Sequence, residues 1–148
     1  MGKKRRLWMI WGIVLVMIGL VEIQTGAYGD SGNWEFFLSD AECDFYYDPG
    51  TVSRSPERIV RVWWKEVFKT KEVLRSRGFA GSEYEKVVYQ INVTEINCPR
   101  KEWRRKFFML CPGEGDDTPC AIHREQSDKW APVMEEQPIG ALYRKLCR

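Results

Sequence analysis

The sequence contains few of the residues from which metal and catalytic sites are usually built. It has a single histidine, His123, and none of its five cysteines belongs to a Cys-x-x-Cys pair. Structural zinc sites need four nitrogen or sulfur ligands, commonly at such short spacings, so we expect no metal site and no cofactor. No paired acid and base groups stand out either, and we therefore predict a protein without enzymatic activity.

A general excess of positive charge is also missing from most of the chain. The whole sequence has 23 lysines and arginines and 21 aspartates and glutamates, but residues 1–29 hold four of the cations and one of the anions. The remaining residues therefore carry a net charge of −1. A basic surface over the whole domain, as nucleic-acid-binding proteins show, is excluded, and any basic patch must be local.

The N-terminal residues have the pattern of a secretory signal peptide. Four cations at residues 3–6 precede an apolar run at residues 7–21, and small side chains occur among residues 25–29. We expect cleavage after Gly29, a single mature domain over residues 30–148, and no transmembrane span in that domain. An uncleaved anchor is the alternative, although the apolar run is shorter than the roughly 20 residues that a membrane span needs.

All five cysteines follow the predicted leader: Cys43, Cys98, Cys111, Cys120 and Cys147. Exported proteins enter an oxidising compartment, where cysteines pair. Four can pair and one must be left over. A bridge between Cys111 and Cys120 would clamp the turn-rich loop between them, and a bridge between Cys98 and Cys147 could tie the centre of the domain to its C-terminus. Cys43 would then be the odd thiol, which allows a disulfide-linked homodimer.

Apolar and polar residues alternate in several segments, as they do in half-buried strands. The predicted strands cover residues 34–38, 43–47, 59–68, 87–98, 103–108 and 121–123, and residues 130–133 form a short extended piece. In the third strand the more apolar set is Val60, Val62, Trp64 and Phe68, and we expect this set to face the core although Glu66 belongs to it.

Two helices are predicted beside these strands. Residues 71–77 form a short helix that ends at Gly78. A second helix begins at Pro138, and its apolar stripe at helical spacing comprises Ile139, Leu142, Tyr143 and Leu146. The predicted fold class is α+β: an antiparallel sheet with a C-terminal helix packed on it, stabilised by disulfides.

The central predicted strand shows a change of pattern near its middle. Val87, Tyr89, Ile91 and Val93 alternate with more polar residues, but the apolar parity changes near Thr94. A β-bulge would produce this change, or the two ends of the strand face different neighbours. Residues 92–94 match a glycosylation sequon, which we interpret as a chance occurrence.

The strand that follows carries the densest cluster of cationic and aromatic side chains. The cluster comprises Arg100, Lys101, Trp103, Arg104, Arg105 and Lys106, and only Glu102 offsets its charge, which leaves +4 over seven residues. Strand alternation would place Trp103, Arg105 and Phe107 on one face; a helix starting at Pro99 is the competing interpretation. We assign the six residues as candidate binding residues for an anionic partner. The alternative is a solvated strand face that discourages edge pairing.

Several short features also occur in a recognisable order. They are Trp34, Tyr46-Tyr47-Asp48, Val62-Trp63-Trp64-Lys65, Glu95-Ile96-Asn97-Cys98, Trp130-Ala131-Pro132-Val133 and the terminal Leu142-Tyr143-Arg144-Lys145-Leu146-Cys147. This order resembles the surface-adhesin protein E family of bacterial exported proteins, over roughly residues 34–147. The resemblance implies an antiparallel sheet with a C-terminal helix and a disulfide between Cys98 and Cys147.

The named member of that family is a surface adhesin that binds host extracellular-matrix glycoproteins. This chain departs from it in having no cysteine before Cys43 that could carry a lipid anchor. Cys43, Cys111 and Cys120 also lie outside the family's core pattern. The resemblance implies an exported, adhesin-like, non-enzymatic binding module at the cell surface or in the periplasm. Its partner would be an extracellular glycoprotein or another anionic surface, and not nucleic acid. The alternative is a periplasmic structural or accessory protein without an extracellular ligand.

Overall fold

The alternating segments form one antiparallel sheet. The computed structural model describes residues 32–124 and 128–148, so the predicted leader lies outside the described residues. The strands are β1 (Glu35–Ser39), β2 (Cys43–Tyr47), β3 (Ser53–Arg54), β4 (Ile59–Phe68), β5 (Val87–Asn97), β6 (Glu102–Pro112), β7 (Ala121–Arg124) and β8 (Ala131–Pro132). Their order across the sheet is β1-β2-β4-β5-β6-β7, with β3 added to β4 and β8 added to β6.

Two short α-helices, α1 (Lys71–Ser76) and α2 (Pro138–Leu146), and two single-turn 3-10 helices, Pro49–Thr51 and Ser82–Tyr84, complete the described elements. The helix α1 ends near Gly78, whose φ of 92° is a left-handed conformation that glycine adopts without strain. The C-terminal helix begins with proline in its first turn, as predicted, and buries Ile139, Leu142 and Leu146. The predicted α+β fold, an antiparallel sheet with a C-terminal helix packed on it, is confirmed.

The sheet has two different faces. The core face is the one on which α2 packs, and there the predicted inward set of β4 is buried together with Phe45, Ile96 and Leu110. Leu74 of α1 belongs to the same cluster, so both α-helices pack on the core face. The opposite face, which we call the outer face, has a smaller apolar cluster around Ile91 and Met109. Strand β5 is therefore buried on both sides.

Lysine and aromatic side chains share one end of the outer face. The ammonium group of Lys65 lies 4.8 Å from the ring centroid of Trp34 and 5.1 Å from that of Tyr89. Lys65 is only 9% exposed, and cation–π attraction offsets part of the cost of burying its charge. The opening tryptophan of the domain thus packs against a buried lysine of β4.

Four cysteines form the two expected disulfides, Cys98–Cys147 and Cys111–Cys120. The first joins the end of β5 to the end of α2, and the hydroxyl of Tyr143 donates to the backbone oxygen of Cys98 at 3.2 Å. The second closes the loop between β6 and β7.

The fifth cysteine, Cys43, is a free thiol with no exposed surface. Burial raises the pKa of this thiol to about 11, although the nearby Arg77 guanidinium acts in the opposite direction. A thiol in this state is a poor nucleophile. Cys43 therefore gives no support to the disulfide-linked homodimer that an odd thiol would allow.

Removing the Cys98–Cys147 disulfide should destabilise the protein more than removing the Cys111–Cys120 disulfide. The bridged residues are 49 and 9 positions apart in sequence, respectively. On the loop-entropy model these separations correspond to about 4 and about 3 kcal/mol. Paired Cys→Ala variants should show this order in urea unfolding followed by tryptophan fluorescence. Equal losses, or a larger loss for the shorter loop, would contradict the entropic explanation.

Candidate functional site

The predicted cationic segment forms a strand in a long hairpin. Strand β5 ends at Asn97 and strand β6 begins at Glu102, and these two residues are paired. Residues 98–101 make the turn between them. Lys101 adopts a left-handed conformation with φ of 53°, and the backbone N–H of Arg100 donates to the Asn97 side chain at 3.2 Å. The competing interpretation, a helix that starts at Pro99, is wrong.

A β-bulge interrupts the pairing of the hairpin. Thr94 is opposite Arg105 and Val93 is opposite Phe107, so Lys106 is the extra residue. The extra residue belongs to β6 and not to β5, whose pairing with β4 is regular through Thr94. The change of apolar parity in β5 therefore arises because its two ends have different neighbours: Ile91 packs in the outer cluster and Ile96 in the core cluster. Because of the extra residue, the predicted alternation of β6 is wrong beyond Arg105.

The bulge and the pleat divide the six predicted binding residues between different surroundings. Arg104 is opposite Glu95 and lies on the outer face, whereas Trp103 is opposite Ile96 and packs against the core cluster. Arg105 also lies on the core face, where its guanidinium is 4.7 Å from the centroid of the Phe108 ring. The predicted single patch therefore does not exist as one surface.

The outer face brings cations together from two strands. Register places Arg61 of β4, Glu95 of β5 and Arg104 of β6 side by side. Arg61 Nε donates to Glu95 Oε1 at 3.1 Å and Arg104 Nε donates to Glu95 Oε2 at 2.8 Å. One carboxylate is thus held between two guanidinium groups.

A second carboxylate extends this arrangement. Arg104 Nη1 donates to Asp128 Oδ2 at 2.9 Å and Lys106 Nζ donates to Asp128 Oδ1 at 2.6 Å. The Arg104 guanidinium also lies 4.4 Å from the centroid of the Trp130 ring. We call the row formed by Arg61, Glu95, Arg104, Lys106 and Asp128 the outer charge row. It has three cations and two carboxylates.

The two carboxylates of the row differ in environment. The Glu95 side chain is 8% exposed and that of Asp128 is 63% exposed. Burial alone would raise the pKa of Glu95, but hydrogen bonds from Arg61 and Arg104 outweigh it and hold the pKa below its usual range. The hydrogen bond from Lys106 lowers the pKa of Asp128. Both groups are therefore anionic at neutral pH.

The remaining predicted cations lie at the turn of the hairpin. The Arg100 side chain is 65% exposed and pairs with Glu102, with Nε and Oε2 2.9 Å apart. Lys101 is exposed at the tip. Carboxylates of the same chain thus neutralise much of the charge that the sequence pattern displays.

A polar network on the core face was not predicted as a site. Glu66 Oε1 accepts from Asn92 at 2.8 Å, and Glu66 Oε2 accepts from Arg77 at 2.6 Å. Asn92 Oδ1 in turn accepts from Gln90 at 2.7 Å. Glu66 was noticed only as an exception on an apolar face, which is the signal that such a network leaves in a sequence. Because its members satisfy one another, the network fixes the segment after α1 to the sheet.

The asparagine of the glycosylation sequon and the single histidine, both noted in the sequence, also lie on the core face. Asn92 has no exposed surface, so the sequon at residues 92–94 is closed to modification in the folded chain. The His123 ring stacks on Phe108, with centroids 4.9 Å apart and an angle of 7° between the planes. Within residues 32–124 and 128–148, no group of three or more potential ligands is placed to hold a metal ion.

Sequence reasoning missed Arg61 as a member of the site. The sequence feature that could have identified Arg61 is its position in the more polar set of β4, which faces away from the core. Glu95 is 34 residues away in sequence, and the register between β4 and β5 brings the two together. Such a register depends on the packing of the whole sheet and could not be derived from either strand alone.

Comparisons with protein-family models, curated proteins and solved structures give no match for this chain. Neither α-helix in the described part of the chain is long and apolar enough to cross a membrane.

Replacing Glu95 with glutamine should reduce both the free energy of unfolding and its dependence on pH. The variant would leave Arg61 and Arg104 without their shared carboxylate, at a cost of about 1–3 kcal/mol near pH 7. The folded-state pKa of Glu95 is depressed, so its contribution is fully present above the unfolded-state pKa and is lost as pH falls through the folded-state pKa. The unfolding free energy of Glu95→Gln should therefore change less between pH 6 and pH 3.

The control for this experiment is Glu83→Gln, which removes the same charge from an exposed position. Chemical denaturation over the pH range, followed by tryptophan fluorescence, would measure all three proteins. A Glu95→Gln curve parallel to that of the original chain would show that the carboxylate is not held as described.

Proposed function

We propose that this chain is an exported, non-enzymatic binding module of the surface-adhesin protein E type. Its partner is an anionic macromolecule, such as an acidic extracellular glycoprotein, and the outer charge row provides the contact surface. One observation carries the proposal: Arg61, Arg104 and Lys106 converge from two strands on the face opposite the helices. Arg100 and Lys101 are exposed cations at the hairpin turn, where Arg100 pairs with Glu102.

The accessibility of these cations supports the outer face as the binding surface. The side chains of Arg61 and Arg100 are 55% and 65% exposed. Arginine has five N–H donors in a planar fork, so a guanidinium that holds one carboxylate oxygen can still meet a second anion. The core face offers less, because α2 covers it and Arg105 contacts Phe108 and Asn92 there. This assignment removes Arg105 and Trp103 from the proposed interface and adds Arg61.

Export is part of the proposal and has two supports. The basic, apolar and small segments of residues 1–29 have the order of a signal peptide. The two disulfides fit an oxidising compartment, because cytosolic thiols are kept reduced. The resemblance to an adhesin family then favours the cell surface over a periplasmic accessory role.

Reversing charge on the outer face should weaken binding to a polyanion. We expect Arg61→Glu/Lys106→Glu to lower the affinity for heparin, used as the probe, by at least about fivefold and to flatten its salt dependence. Arg54→Glu/Lys69→Glu is the matched control. It makes the same change of charge away from the row. Arg54 is paired with Val60 and lies on the core side of the sheet, and Lys69 contacts Ser39 and Asp44 of β1 and β2.

Surface biosensing at 50, 150 and 300 mM salt would compare the two variants, with thermal unfolding as the check on folding. Equal weakening by both would mean that net charge and not the outer charge row governs the interaction. No heparin binding by the original chain at any of these salt concentrations would count against the anionic partner itself.

Protease treatment of intact cells should remove the protein while periplasmic markers survive, because an adhesin must be exposed at the surface. The intact mass of the protein from untreated cells should lack residues 1–29. Protection from protease together with a removed leader would support the periplasmic accessory role instead. A mass that retains residues 1–29 would overturn the cleaved leader.

A further inference from the structure

We propose that Arg104, Lys106 and Trp130 form a subsite for an acidic side chain of a protein partner, and that Asp128 occupies this subsite in the free chain. The inference rests on the proposed function, because it specifies which part of an anionic glycoprotein the outer face recognises. Binding would then proceed by exchange of one carboxylate for another.

The geometry around Asp128 is that of a bound carboxylate. Its two oxygens are held by different cations, Oδ2 by Arg104 Nη1 at 2.9 Å and Oδ1 by Lys106 Nζ at 2.6 Å. The backbone oxygen of Asp128 accepts a further, longer hydrogen bond from Arg104 Nη1 at 3.4 Å. The subsite thus already holds both the side chain and the main chain of an aspartate.

Arg104, the central cation of the subsite, is positioned independently of Asp128. Arg104 Nε and Nη2 bind Glu95 Oε2 at 2.8 and 2.7 Å, and Glu95 is nearly buried. The Trp130 ring covers the guanidinium, and the Arg104 side chain is only 21% exposed. Lys106, which lies on the same side of β6, binds the same carboxylate as Arg104. Groups that are already ordered lose little entropy when a ligand arrives.

Asp128, in contrast, is replaceable. Its side chain is 63% exposed, and it lies outside the strands and helices. Ion pairs at exposed positions contribute little net free energy, because both charges are well hydrated when separated. Departure of Asp128 would leave three cations of the row with Glu95 as their one carboxylate, a net charge of +2 facing the ligand. An incoming carboxylate would meet the same donors that Asp128 leaves.

The present occupant indicates a polypeptide ligand. Asp128 lies three residues before β8, and β8 pairs with Glu102 and Trp103 at the start of β6. A polypeptide segment that runs beside β6 therefore already delivers an acidic side chain to the subsite, together with its backbone oxygen. A sulfated glycan offers similar oxygens without that backbone, and it is the alternative outcome of the test.

Removing the occupant should strengthen binding of an acidic peptide. The probe is a fluorescent peptide of alternating aspartate and glycine, and its anisotropy is measured with the full mature chain at 50 and 150 mM salt. We expect Asp128→Ala to bind this peptide about two- to fivefold more tightly than the original chain, the range that corresponds to loss of one weak competing ion pair. Glu83→Ala, which removes the same charge from an exposed distant position, should change the affinity less than the Asp128 variant at both salt concentrations.

A second variant identifies the subsite itself. In Asp128→Ala/Lys106→Ala the gain should disappear, because one of the two cations is lost with the occupant. Thermal unfolding of each variant would confirm that folding is unchanged.

Each outcome has one meaning. If the original chain binds the peptide but Asp128→Ala increases the affinity for it no more than Glu83→Ala does, the subsite is overturned and the proposed function stands. If the gain occurs with heparin and not with the peptide, the acidic side chain is overturned in favour of a glycan. If neither the original chain nor any variant binds the peptide or heparin, the proposed function fails and the subsite fails with it.

Discussion

Strand β5 is buried on both faces although it carries four polar side chains. Each of these buried groups needs a hydrogen-bonding partner, and the neighbouring strands of the sheet must provide it. These side chains are Gln90, Asn92, Thr94 and Glu95. A buried polar group without a partner costs more than a paired one contributes, so neighbouring strands must supply the partners. On the core face Glu66 and Trp64 do so, the indole of Trp64 donating to Thr94 at 2.8 Å. On the outer face two arginines meet the fourth side chain.

The need to pair a buried carboxylate also fixes the positions of the cations on the outer face. Because Glu95 is nearly buried and charged, Arg61 and Arg104 are held in fixed positions on either side of it. Lys106 adds another cation beside them, because strand alternation directs residues 104 and 106 to the same face and its ammonium group binds the Asp128 carboxylate that Arg104 also binds. Two guanidinium groups in fixed positions therefore follow from the burial of one carboxylate, and Asp128 links Lys106 to them.

Local patterns predicted the elements well, because each depends on residues that are close in sequence. Strands β2 and β4 begin and end where the alternation predicts, and Pro138 and Gly78 mark the start and end of helices as expected. The Cys111–Cys120 disulfide closes the short turn-rich loop as expected, and the Cys98–Cys147 disulfide is the one that the family resemblance implies.

The candidate site was predicted only in part, because it depends on pairing between distant strands. A run of cations identifies β6, and strand alternation correctly places Arg104 and Arg105 on opposite faces, but the bulge reverses the predicted faces of Phe107 and Phe108. The partners of Glu66 and Glu95 come from residues up to 34 positions away. Nothing within either segment specifies that register.

A row of compensated charges recognises its partner differently from an open basic patch. An open patch attracts any polyanion, and its affinity follows net charge and salt. In the outer charge row the cations already hold carboxylates, so a net charge of only +1 remains to attract a polyanion, and long-range steering is weaker than for an open patch. The binding free energy of a ligand is only the difference between the contacts that its own carboxylate makes with these cations and the contacts that Asp128 makes with them. This difference depends on the positions of the donors. Neutralisation within the chain therefore lowers affinity for polyanions in general while it favours a ligand that fits, which is a condition for selective binding.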